Sequence, residues 1–158
     1  MKQISAGKQR TEDISVPVAE RWNGNMKKLE IGQKACFSKT ISEADVYGFA
    51  GIVGDFNPVH VNAVAGAESI FGQRVAHGML VGSLISTVLG TRLPGEGTIY
   101  MEQTLKFKKP VFLGDTVTAI VEVDEIINEE KGIYKLETIV VKQDNSVTHE
   151  GYAIVKYK

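Results

Sequence analysis

The stretch Ala76-His77-Gly78-Met79-Leu80-Val81-Gly82-Ser83-Leu84-Ile85-Ser86-Thr87-Val88-Leu89-Gly90 decides the fold. From Gly78 onward it carries no charge, and its large apolar residues point in nearly every direction around a 3.6-residue period. A helix lacking a charged face has to be wrapped on most sides. The segment is expected to be helical from about His77, with Gly90 as its stop. At thirteen residues, Gly78 to Gly90 is too short for a bilayer, which takes about 20.

The wrapping material lies downstream. Ile99, Met101, Gln103, Leu105 and Phe107 alternate with polar neighbours, which predicts one long half-buried strand ending at Pro110. Val117, Ala119, Val121 and Val123 alternate next, and Tyr134, Leu136, Thr138 and Val140 follow the Asn128–Gly132 turn. Ala153, Val155 and Tyr157 close the chain. A buried helix followed by hairpin-linked strands predicts an α+β domain, with an antiparallel sheet curled around one central helix.

Upstream, Lys34 to Thr40 reads as a short strand. Ser42, with Asp45 three residues on, reads as an N-cap and capping box for a helix running to Val53 and stopping at Gly54. Val46, Phe49, Ala50 and Val53 form its apolar face. Pro58 prevents continuation and holds Asn57 extended, so Asp55 to Asn62 is expected to be a shaped loop. Ala63 to Val75 is looser. Residues 1–25 are polar and read as an extension docking through Val16, Val18 and Trp22, with a single domain over 26–158.

Composition narrows the classes of function. Of 158 residues, 18 are Lys or Arg and 19 Asp or Glu, a net charge of −1. That balance disfavours a nucleic-acid binder. The single cysteine, Cys36, excludes an intrachain disulfide and a cysteine-based zinc site. His60, His77 and His149 are dispersed in sequence and suggest no metal site. The N-terminus lacks the apolar segment of a secretory signal, and the expectation is a cytoplasmic protein without membrane association.

Chemistry concentrates in Gly54-Asp55-Phe56-Asn57-Pro58-Val59-His60. A carboxylate and an imidazole five residues apart across a proline-fixed loop can converge on one volume and exchange acid and base roles. Taken singly, Asp55 could as well cap a turn and His60 be structural. Gly78, at the start of the buried helix, would present its backbone N–H outward where the helix dipole adds positive charge. Such a donor suits a developing oxyanion. His77 could instead merely cap the helix, with Gly78 serving close packing. Asn57 reads as a loop-shaping residue through an Asx hydrogen bond. Gln103 reads as structural, Cys36 as core or half-exposed, and Glu129-Glu130-Lys131 as a charged hairpin tip. His149 reads as a surface strand residue. Lys106, Lys108, Lys109, Arg74 and Arg92 could meet phosphates, though solvating the surface is the simpler role.

Together, Asp-x-Asn-Pro-x-His, the His-Gly-Met-Leu helix start, Ile99-Tyr100-Met101-Glu102-Gln103 and Lys109-Pro110-Val111-Phe112-Leu113-Gly114-Asp115 resemble the MaoC-like (R)-specific enoyl-CoA hydratases, from about Leu29 to the C-terminus. The resemblance implies a hotdog fold, a paired homodimer or higher homo-oligomer, and an acyl-CoA substrate. It implies reversible hydration of trans-2-enoyl-CoA to (R)-3-hydroxyacyl-CoA without cofactor or metal. Asp55 and His60 would hold and activate the water, with their acid and base roles left open. Gly78 would donate its N–H to the thioester oxygen, and Ser86 would support the site by orienting Asp55. A dehydratase running the same reaction backwards on a CoA or carrier-protein thioester is the near alternative. A hotdog thioesterase and a non-catalytic acyl-CoA-binding module are the remoter ones.

Overall fold

The computed structural model describes residues 28–157; the predicted extension and its docking residues lie outside them. Strand β1 (Lys34–Thr40) leads into helix α1 (Glu43–Val53). The cap between them is the predicted one. The Asp45 N–H donates to Ser42 Oγ at 3.2 Å and the Ser42 N–H to Asp45 Oδ2 at 2.8 Å, satisfying two end donors reciprocally. Gly54 ends the helix in the left-handed conformation (φ 78°), its N–H reaching the Ala50 carbonyl at 2.8 Å. Val46 and Ala50 are buried, whereas Phe49 is half-buried and Val53 exposed.

The expected loop over 55–62 contains a turn of helix, α2 (Pro58–Val61). Pro58 starts it rather than preventing it. At the first helical position a missing N–H costs nothing, and the fixed φ suits the helix. Asn57 is the extended cap, accepting from the Val59 N–H at 3.3 Å. Asn62 caps a second short helix, α3 (Ala63–Glu68), in the segment read as loose.

Helix α4 (Gly78–Thr91) buries Val81, Leu84, Ile85, Val88 and Leu89 against β1 and the strands described below. Each such side chain contributes about 1.5–3 kcal/mol on burial. One expectation needs correction: the helix runs through Gly90, and the left-handed glycine comes later, at Gly95 (φ 99°). Among the described residues α4 is wrapped on most sides, with Met79, 60% exposed, and exposed Ser83, Ser86 and Gly90 forming an open stripe along it.

Strands β2 (Ile99–Gln103), β3 (Lys106–Phe107), β4 (Thr116–Asn128), β5 (Ile133–Lys142) and β6 (Val147–Lys156) follow. All pairings are antiparallel, in the order β1-β4-β5-β6-β2, with β3 also on β6. The inward residues of β4, β5 and β6 are those the alternation marks: Val117, Ala119, Val121, Val123, Tyr134, Leu136, Thr138, Val140, Ala153 and Val155. The predicted long strand from Ile99 is instead two. The chain breaks at Thr104, whose carbonyl presses against Gly151 of β6 so closely that a Cβ there would lie 1.8 Å from the oxygen. Ile99 (57%), Met101 (55%) and Phe107 (57%) are exposed rather than inward, while Leu105 packs on the core. Among the described residues no helix is long and apolar enough to cross a membrane.

Candidate active site

The αL turn at Gly54 redirects the chain so that Asp55 leaves α1 towards α4. Its carboxylate, 52% exposed, accepts the Asn57 N–H at 3.2 Å and lies 4.0 Å from His77 Nε2. Asp55 thus caps a turn as well as facing the site. His60, one turn into α2, is held by Nδ1 at 2.7 Å from the Val75 carbonyl. A carbonyl only accepts, so Nδ1 carries a proton, and in the neutral ring Nε2 is then an acceptor. The Val75 N–H returns a bond to the Val59 carbonyl at 3.2 Å, which docks α2 to the strand-like segment before α4.

His77 does more than end a helix. It is 3% exposed and stands at the N-cap position, but its side chain makes no cap hydrogen bond. Instead Nε2–H donates to the Asp55 carbonyl at 2.9 Å. Its ring stacks on His60 with centroids 3.9 Å apart, and on Phe49 at 5.1 Å. Its Nδ1 is buried without a hydrogen-bond partner, so a charged His77 would bring an unsatisfied buried donor. His77 therefore ties the loop bearing Asp55 to the start of α4.

The nearest ligating atoms of Asp55, His60 and His77 all lie within 4.8 Å of one another, which brings together two of the histidines that are dispersed in sequence. By distance the three could hold a metal ion. By chemistry they are poorly suited, because His77 Nε2 is already committed as a donor to a carbonyl. For Asp55 and His60 the spacing suits one water hydrogen-bonded to both, at about 2.8 Å each.

Gly78, first residue of α4, has an N–H without an intrahelical partner. It borders a cavity of about 440 Å³ together with Asp55, His60, His77, Phe49 and Phe107. A second cavity of about 360 Å³ shares His60, Gly78 and Phe107 and extends to Val59, Val111 and His149. The Phe107 ring lies over Gly78 so closely that a Cβ would sit 2.7 Å from it. Only glycine lets the ring come that close to the helix start.

The other singled-out residues fall as follows. Asn57 shapes the loop, as read. Ser86 is exposed on the open stripe of α4, about 12 Å along the axis from Gly78. It makes no hydrogen bond to Asp55, whose Oδ1 accepts the Asn57 N–H. Gln103 is structural: its amide donates to the Thr104 carbonyl at 2.7 Å and Thr138 Oγ1 at 2.9 Å, and accepts from the Tyr100 hydroxyl. Cys36 is buried in a small cluster with Ile120 and Val141. Arg74 pairs with Glu43, Arg92 donates to the Cys36 carbonyl, and Lys106 and Lys108 face Glu150.

His149 corrects the sequence reading. It is 2% exposed, with Nε2 3.0 Å from the Gly78 carbonyl and Nδ1 2.9 Å from Thr148 Oγ1. Alternation back from Val155 and Ala153 through Gly151 puts His149 on the inward face, opposite Val140. Val141 then pairs with Val147, so Thr148 is an extra residue, a bulge beside His149, and it is buried as well. The surface reading followed the charged neighbour Glu150 instead of the period.

A helix clasped by an antiparallel sheet, with a carboxylate and an imidazole beside its N-terminus, defines a hotdog-fold protein with a candidate acid–base site. The chain belongs to the MaoC-like domain family, which it matches over residues 26–150. It is 51% identical over 127 residues to an (R)-specific enoyl-CoA hydratase of Rhodospirillum rubrum, covering 80% of this chain and 87% of that one. It is 46% identical over 128 residues to a 3-hydroxybutyryl-CoA dehydratase of Methylorubrum extorquens, covering 81% and 80%. The solved (R)-hydratase of Aeromonas caviae superposes with a TM-score of 0.80 at 45% identity, covering 84% of this chain and 99% of that one.

Proposed function

We propose that this protein is an (R)-specific enoyl-CoA hydratase, adding water reversibly to trans-2-enoyl-CoA to give (R)-3-hydroxyacyl-CoA. The observation that carries this is the convergence of Asp55, His60 and the Gly78 N–H on one cavity. A water donating one hydrogen to the Asp55 carboxylate and the other to His60 Nε2 keeps a lone pair for C3. As the C3–O bond forms, the π electrons move to C2 and the thioester oxygen, and the Asp55–His60 pair takes the proton that the water loses. Collapse of the enolate draws one proton from the pair to C2. The pair ends as it began, acting as one coupled unit. The Gly78 N–H stabilises the enolate oxygen, and one such donor is worth about 3 kcal/mol. Neither a cofactor nor a metal enters this scheme.

Run backwards, the same atoms dehydrate a 3-hydroxyacyl thioester. The relative named a dehydratase makes this the second reading. The domain in this reading spans 26–158, and the partner is a second copy. The edge strand β2 presents exposed Ile99, Tyr100 and Met101, and α4 its open stripe, both unpartnered among the described residues. Ser86 lies on that stripe, so its support of the site belongs to the assembled dimer.

The test follows crotonyl-CoA by its conjugated absorbance and free thiol in parallel. Hydration removes absorbance without releasing thiol, whereas a thioesterase releases thiol and a binding module does neither. Asp55→Asn and His60→Gln should each lower kcat about 10²–10⁴-fold with the fold intact. Near-full activity of Asp55→Asn would remove it from the mechanism.

A further inference from the structure

His149 is a buried imidazole that the scheme above leaves unused, yet it touches the peptide beside the proposed oxyanion donor. Its Nε2 faces the Gly78 carbonyl at 3.0 Å, and since that oxygen only accepts, Nε2 bears the hydrogen. Its Nδ1 faces Thr148 Oγ1 at 2.9 Å, and in the neutral ring this nitrogen accepts from the hydroxyl. The Thr148 hydroxyl has the Val140 carbonyl as a second acceptor at 3.1 Å. Burial pushes the imidazole's pKa down while the bond to Gly78 pushes it up; the net is downward, so the ring is neutral.

Why hold that carbonyl? Glycine resists backbone rotation least of all residues, and the first turn of a helix has the fewest bonds to restrain it. The peptide plane before Gly78 is fixed by the Val81 N–H on the His77 carbonyl, at 3.2 Å. The plane after it, already within the helix that begins at Gly78, gains a second restraint from His149 Nε2. With both planes set, the direction of the Gly78 N–H is set. The Phe107 ring, edge-on to His149 at 5.2 Å and over Gly78, closes the remaining side. The alternation of Val155, Ala153, Gly151 and His149 along β6 aims the imidazole at this contact, and the bulge at Thr148 lies directly beside it.

We propose that His149 is a positioning residue for the hydration reaction, aligning the Gly78 N–H with the thioester oxygen through its bond to the Gly78 carbonyl. This rests on the reading of Gly78 as the oxyanion donor. His149→Leu removes the donor at similar bulk, whereas His149→Gln keeps an N–H. In His149→Leu, kcat for crotonyl-CoA should fall about tenfold with KM within about twofold, because an oxyanion bond strengthens in the transition state. The Gln chain should recover most of that loss.

A second readout is the carbonyl resonance of [1-13C]butyryl-CoA, which binds without being hydrated. It should move downfield on binding the wild type and much less on binding His149→Leu. Wild-type kcat in the Leu chain, or equal losses in Leu and Gln chains with the full carbonyl shift kept, would overturn the proposal. Should the Leu chain not fold, a folded Gln chain that has lost the carbonyl shift overturns it, and one that keeps the shift supports it. No shift in the wild type would instead refute the Gly78 assignment, and this inference with it.

Discussion

Asp115 shows how one side chain can set the acid limit of the fold. Burial by itself would raise its pKa. The Phe112 N–H at 2.9 Å, the Gln143 amide at 2.8 Å and Lys142 at 3.2 Å outweigh that and hold it below the ordinary carboxylate value. A depressed folded-state pKa contributes stability that is present above the unfolded value, about 3.9, and is lost as pH falls through the folded one. Asp115→Asn should therefore be less stable than the wild type near neutrality, with the gap narrowing below about pH 4. Denaturant midpoints measured across pH check this, and a constant gap would contradict it. At the same scale, Asp55 and His60 were legible as a pair because proline fixes the turn between them. The partner that anchors them was only half legible. His77 stood in the sequence as a cap, but its bond runs across 22 residues to the Asp55 carbonyl, and spacing cannot show that.

Elements were readable where a local signal decides them. The Ser42 box, the Gly54 stop and the alternation of β4 and β5 all rest on neighbours within a few residues. The split of the predicted Ile99–Phe107 strand has another cause, a distant strand imposing its own geometry. Ile99 to Phe107 alternates well enough for one strand, yet the chain parts where the Thr104 carbonyl meets Gly151, with the Thr104 N–H bonded to the Tyr152 carbonyl at 2.9 Å. Gly151→Ala tests that account. The added methyl would lie 1.8 Å from a backbone oxygen that cannot swing away, so β6 or the β2–β3 break has to shift. The expected loss is about 3 kcal/mol, read from chemical denaturation. A loss under about 0.5 kcal/mol would mean that the contact is slack. His149 was legible after all: it lies four residues before Ala153 on the same inward face, and only its charged neighbour Glu150 suggested the surface.

At the scale of the molecule, the unfinished places among the described residues lie at the border: the β2 edge with Ile99 and Met101, and the open side of α4 with Met79. An unpaired edge carrying large apolar side chains invites a further strand. In the proposed dimer, Met101→Lys should shift the protein towards monomer in sedimentation at micromolar concentration and lower activity with it. Unchanged association would place the interface elsewhere. Inside, the two cavities meet at Phe107, a side chain on a strand of two residues. The division between them is thus a single aromatic door hung on the sheet's shortest ribbon. A lineage could enlarge the room, or change its tenant, by altering that hinge while every wall stays where it is.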